Sequence, residues 1–245
     1  MTPKLSYTIW FSQRVGSTAL SEMLQSTNVA GNPGEWLNCA PSQSILKHHD
    51  VDNVIELRER IWQLGSVNNV FGLKYGPWQP KFTEILQTLQ QLPGVSPTAS
   101  PLEIWESAFP RSRHLFLTRK DKVRLAVSWW KAIQTNEWHR TRGSKRVDNH
   151  KPAYSYDAIN NLYHEAIQRE QLILKTLHDG NNDYMTVVYE SFASAPRETV
   201  KNILTYLQID NAAHIALPNL EKLSDDLSET WVVRYNEEKQ ERIQE

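Results

Sequence analysis

Ser12-Gln13-Arg14-Val15-Gly16-Ser17-Thr18 joins an apolar run, Tyr7 to Phe11, to a helical pattern that begins near Gly16. A strand, a short glycine-bearing turn and a helix start make an anion site, because the first helical N–H groups lack intrahelical partners and point at the turn. Gly16 permits close backbone approach, Ser17 and Thr18 supply hydroxyl donors, and Arg14 supplies a planar cation suited to bidentate oxyanion binding. A phosphate-like guest is the expectation.

Working outward, the helix carries Ala19, Leu20, Met23 and Leu24 on one face and gives out near Thr27-Asn28. Val29-Ala30 is expected to return as a short strand parallel to the first. Gly31-Asn32-Pro33-Gly34-Glu35-Trp36 then falls beside the anion turn, because parallel sheets place ligand loops beyond the carboxyl ends of their strands. Glu35 is thus an active-site carboxylate candidate, and Trp36 a candidate sugar-stacking ring. Val51 to Leu64 has helical spacing. Asn69 to Lys74 reads as a strand ending in Lys74, a further ligand-edge candidate, with Trp78 just beyond the breakers Gly76 and Pro77.

The strand-to-helix arrangement recurs. Leu115 to Thr118 is a short strand, followed by Arg119-Lys120-Asp121-Lys122 and a helix through Val123, Ala126, Val127, Trp130 and Ile133, with Ser128 inside it. Arg119, Lys120 and Ser128 are candidates for a second phosphate. Thr141 to Pro152 is basic and aperiodic, an exposed loop or a lid over an anionic ligand. Tyr156 to Leu177 is a long amphipathic helix ended by Asp179-Gly180-Asn181-Asn182; Tyr184 to Tyr189 is the last clear strand; and Pro196 opens another helix. Strands alternating with helices indicate a three-layer α/β domain with a mainly parallel sheet, and 245 residues suit one domain spanning 1–245.

Composition bounds the partners. A formal charge of −1 gives no global basic field for nucleic acid, so any anion site is local. The single cysteine, Cys39, forms no internal disulfide, and no run approaches the roughly 20 apolar residues of a transmembrane segment. A reducing, cytoplasmic setting is the expectation, with a homodimer allowed.

Taken together, the turn at 12–18, the 31–36 loop, Arg119-Lys120-Asp121-Lys122-Val123 with Ala126-Val127-Ser128, Val188-Tyr189-Glu190 with Pro196, and Glu229-Thr230-Trp231 with Arg234-Tyr235 resemble the bacterial trehalose 2-sulfotransferase family. The blocks stand in family order across nearly the whole chain. The resemblance implies a P-loop-like sulfotransferase fold, 3′-phosphoadenosine-5′-phosphosulfate (PAPS) as donor, adenosine 3′,5′-bisphosphate as product, and a small carbohydrate or glycolipid acceptor. It implies that Gln13, Arg14, Val15, Gly16, Ser17 and Thr18 hold the 5′-phosphosulfate, that Arg119 with Ser128 holds the 3′-phosphate, and that Glu35 is the catalytic base. In the wider superfamily the 3′-phosphate arginine lies eight residues before the serine. Arg119 lies nine before Ser128 and Lys120 eight, which leaves the choice between them open.

The residues speak to the chemistry independently. A nucleotide kinase on this fold needs a Gly-Lys-Ser/Thr loop and a strand-terminal aspartate for magnesium. Arg14 stands where that lysine would be, and the later strands end in Lys74, Arg119 and Glu190. Metal-free in-line transfer is therefore expected, with Arg14 and the loop amides stabilising leaving-group charge. A P-loop nucleotide or sugar kinase and a non-catalytic nucleotide- or carbohydrate-binding module are the alternatives.

Overall fold

The computed structural model describes residues 2–144, 151–180, 183–209, 214–221 and 223–244. In chain order the elements are β1 Leu5–Phe11, α1 Ser17–Ser26, α2 Ile45–His49, α3 Val54–Gly65, β2 Ser66–Val67, β3 Val70–Tyr75, α4 Lys81–Leu89 and α5 Pro101–Ala108. They continue as β4 Ser112–Thr118, α6 Lys122–Thr135, α7 Tyr156–Asp179, β5 Tyr184–Val188, α8 Tyr189–Ser194, α9 Pro196–Tyr206 and α10 Asp226–Gln244.

The five strands form one sheet in the order β2-β3-β1-β4-β5, parallel throughout except for the short β2–β3 hairpin. Alternation along the central strands decides what each face packs. Tyr7, Ile9 and Phe11 of β1 join Leu115 and Leu117 of β4 in one core with α1, α6, α9 and α10, while Trp10 and Phe116 enter a second core with α3, α4 and α5. Helices on both faces of a mainly parallel sheet give the expected three layers. Two of the polar pairs on buried strand positions cross between elements: Trp10 Nε1 donates to His114 Nδ1 at 3.1 Å, and Trp105 Nε1 donates to Thr8 Oγ1 at 2.9 Å, whereas the Ser6 and Tyr75 hydroxyls are buried without a partner among the described residues.

Helix α7 belongs to both cores. Ile159, Leu162 and Ala166 pack on the first, Ile173 and Leu177 on the second, and Glu170 stands between these two groups.

One sequence expectation changes. Val29-Ala30 is not a strand: the Val29 and Ala30 amides donate to Thr27 Oγ1 at 3.3 and 3.2 Å, and the Ala30 carbonyl accepts from the Tyr7 hydroxyl at 2.6 Å, so ladder bonds are forgone. The chain still runs back beside the sheet, through the Asn32 amide to the Gly65 carbonyl at 2.8 Å and a parallel bridge of Gly34 with Leu73. Gly31 sits at φ +70 with its α-carbon against the Val70 carbonyl, where a side chain has no room. Trp130 is half-buried; its neighbour Trp129 is the buried ring of that pair. The helix of residues 101–108 opens on a complete capping box formed by Ser100 and Glu103. Lys145 and Arg146 of the basic 141–152 loop, and Asn181 and Asn182, lie outside the described residues.

Candidate active site

The parallel strands β3, β1, β4 and β5 end at one edge of the sheet, and a cavity of about 1150 Å³ opens there. Nine lysines and arginines line it against five aspartates and glutamates, so its wall is cationic although the chain as a whole carries −1. Gln13, Arg14, Gly16, Ser17, Thr18, Glu35, Lys74, Trp78, Arg119 and Ser128 all face it.

The turn after β1 is built as the sequence indicated. Gly16 is the residue before α1, at φ +83, and no side chain caps that helix, which leaves its first amides for a ligand. Glycine is required there for a reason the sequence did not give: an added Cβ would lie 2.9 Å from the Tyr189 ring, so the crowding comes from α8 and not from the ligand side. Val15 turns its side chain wholly into the core, so only its backbone remains for a ligand. Arg14, itself at φ +61, donates from Nε to Ser128 Oγ at 3.0 Å and from Nη1 to the Trp138 carbonyl.

The turn after β4 supplies Arg119, whose guanidinium lies 4.7 Å over the Tyr189 ring and donates to the Arg14 carbonyl at 3.4 Å. Its Nε is buried without a partner. Burial, then the neighbouring Arg119 charge, pulls Arg14 down to about 10, and burial lowers Arg119 as well. Among the described residues neither has a carboxylate within ion-pair distance. Lys120 is exposed and off the cavity wall, with its amide donating to Glu190 Oε2 at 3.1 Å. Of the two candidates, Arg119 is therefore the one that faces the cavity.

Glu35 reaches the site by the 31–36 loop. Lys74 Nζ lies 3.1 Å from Glu35 Oε1 and donates to Thr18 Oγ1 at 3.2 Å, and Asn38 Nδ2 donates to Glu35 Oε2 at 3.0 Å. Lys74 is buried and paired, not a solvated strand end. Trp36 folds away from the cavity: Nε1 donates to the Asn32 carbonyl at 3.0 Å, and the ring fills the space beside Gly34. Trp78 and Trp138 line the wall instead. His48 is exposed, but His49 is half-buried with Nε2 2.6 Å from the Trp36 carbonyl, bracing the loop that carries Glu35. Among the described residues no group of three or more His, Cys, Asp or Glu is placed to hold a metal, and no helix is long and apolar enough to cross a membrane.

An uncapped helix start beside two arginines that, among the described residues, face no carboxylate within ion-pair distance, with Glu35 on the same cavity wall, is an arrangement suited to an anionic ligand. The Stf0 sulphotransferase family model matches residues 6–238, and the chain belongs to that family. It is an enzyme, a sulfotransferase, which sets aside the kinase and binding-module alternatives. The chain is 28% identical to trehalose 2-sulfotransferase of Mycolicibacterium smegmatis over 96% of each chain. It is 26% identical to the Mycobacterium tuberculosis (strain Erdman) protein of the same name, over 95% of this chain and 94% of that one. A sulfotransferase structure from Alicyclobacillus acidocaldarius superposes with a TM-score of 0.51 at 12% identity, covering 95% of this chain and 91% of the other, and shares the fold.

Proposed function

We propose that the chain transfers a sulfuryl group from PAPS to a hydroxyl of a carbohydrate or glycolipid, with Glu35 as general base. The observation that carries the donor reading is the pair Arg14 and Arg119. Two half-buried guanidinia of one sign, lacking a carboxylate between them, make a site whose own groups leave an anion to be supplied. The orphaned Arg119 Nε fits such a group, and Ser128 Oγ stands next to it through Arg14. On this reading Gln13 to Thr18 hold the 5′-phosphosulfate through amides, hydroxyls and Arg14, while Arg119 and Ser128 hold the 3′-phosphate. Bound there, the donor supplies the sulfuryl group and a phosphate leaving group.

The remaining chemistry belongs to the chain. Glu35 accepts one bond at each carboxylate oxygen, from Lys74 and Asn38, which fixes its orientation and leaves lone pairs for an acceptor hydroxyl. Taking the hydroxyl proton as the oxygen attacks removes the main obstacle to a neutral sugar nucleophile. Arg14, held from Nε by Ser128, and the amides of the α1 start are on this reading the preorganised donors for leaving-group charge. Trp78 offers an apolar face for a sugar ring. The two mycobacterial relatives, both named for trehalose, support a disaccharide-sized acceptor.

Calorimetry tests the donor half: adenosine 3′,5′-bisphosphate is expected to bind without magnesium, and tighter binding of magnesium-ATP would overturn the reading. Kinetics test the base. Glu35→Gln keeps shape while removing basicity, so it should bind the bisphosphate normally and lose roughly 10²–10⁴ in turnover. Turnover close to that of the parent chain would move the base elsewhere.

A further inference from the structure

Glu170 occupies a core position in α7. The inward stripe of that helix runs Ile159, Leu162, Ala166, Glu170, Ile173, Leu177, at intervals of three and four, and a carboxylate on such a stripe is costly unless its bonds are met. They are met by three groups from the two turns of the active site. Glu170 Oε1 accepts from Ser12 Oγ at 3.2 Å, from Thr118 Oγ1 at 2.9 Å and from Lys122 Nζ at 2.7 Å. Ser12 is the residue after β1, where the Arg14 turn begins. Thr118 ends β4, directly before Arg119. Lys122 opens α6 and also donates to Thr118 Oγ1 at 3.0 Å and to the Arg119 carbonyl, so it pins the backbone that carries Arg119. Glu170 is itself 9% exposed and not on the cavity wall.

We propose that Glu170 is a positioning residue that fixes the distance between the two anion-binding turns, so that a single nucleotide phosphorylated at both 5′ and 3′ engages both together. A group that touches either turn alone would stabilise one subsite; this carboxylate holds Ser12 and Thr118 through one oxygen, so the two strand ends keep one spacing. The proposal rests on the donor reading above. Its consequence is specific: the spacing matters only to a ligand that spans both turns, since a monophosphate can follow whichever turn it occupies.

The test is the ratio of dissociation constants for adenosine 5′-monophosphate and adenosine 3′,5′-bisphosphate, measured calorimetrically. In a fully positioned constellation an ångström of misplacement costs up to about 10²-fold, so Glu170→Leu, which removes the shared acceptor, is expected to shrink the ratio about tenfold with monophosphate binding little changed. Ser12→Ala and Thr118→Val leave the Glu170–Lys122 pair intact, keep the test available should Glu170→Leu not fold, and are expected to shrink the ratio in the same direction. A ratio equal to that of the parent chain in the folded variants, with only the melting temperature lowered, overturns the proposal. A parent chain that binds both nucleotides equally overturns the donor reading itself, and the clamp with it. The two failures are thus read from different proteins.

Discussion

The turns after β1 and β4 look alike in the sequence, each a strand running through an arginine into a helix, yet their backbones are used in opposite ways. At the first turn α1 has no side-chain cap, and its opening amides face the cavity. At the second, Asp121 accepts from the Arg124 amide at 2.8 Å and Glu190 accepts from the Lys120 and Asp121 amides at 3.1 and 3.2 Å. Burial alone would push the Glu190 carboxyl up, but those two amides carry it below the usual carboxylate range. The second turn has therefore filled its own anion site with carboxylates, and its capacity for a ligand anion lies in the side chains of Arg119 and Ser128. A helix start becomes a binding site only where the protein withholds its own cap.

That contrast can be tested from its largest consequence downward. On the proposed function Arg14 stabilises leaving-group charge beside the free amides, with a planar fork that a lysine lacks, so Arg14→Lys should lower turnover by about 10²–10³ while retaining part of the donor affinity. Arg119→Ala, at the turn that binds by side chain alone, should instead weaken adenosine 3′,5′-bisphosphate far more than the 5′-monophosphate. Steady-state kinetics beside calorimetry would break the comparison if both variants lost turnover and affinity in the same proportion. A smaller effect concerns backbone strain. Gly16→Ala places a Cβ at φ +83 against Tyr189 and should cost about 1–3 kcal/mol of unfolding free energy. Glu190→Gln keeps one of the two amide bonds, loses the charge and leaves the other amide of this outer turn to water, and should cost about 1 kcal/mol. Denaturant unfolding of the pair would refute the ordering if the glutamine variant proved the less stable.

The first turn is legible in the sequence because apolar run, glycine and hydroxyls are contiguous, and the same locality makes the alternation of strands and helices readable. The occupied state of the second turn is not, because Glu190 comes from the first turn of α8, some seventy residues away. Val29-Ala30 misleads for a local reason: two residues of strand composition give their amides to a threonine hydroxyl instead. Trp36 and Trp78 illustrate the limit of proximity. The former adjoins Glu35 in the chain and packs on Gly34, whereas the latter reaches the cavity from beyond β3. Glu170 is legible in principle, since a single carboxylate in the stride Ile159, Leu162, Ala166, Ile173, Leu177 marks a charge facing inward.

The closeness of Arg14 and Arg119 also bears on how long the protein lasts in a cell. Their repulsion and desolvation, which pull Arg14 down to about 10, are a standing cost of the ligand-free fold, and the charge of a bound polyanion offsets it. By mass action, a ligand present at a hundred times its dissociation constant adds about 2.7 kcal/mol to the folded state. On the donor reading, the abundance and protease resistance of this chain would then track the supply of sulfated nucleotide, making sulfur status a determinant of its turnover as a protein as well as of its turnover as a catalyst.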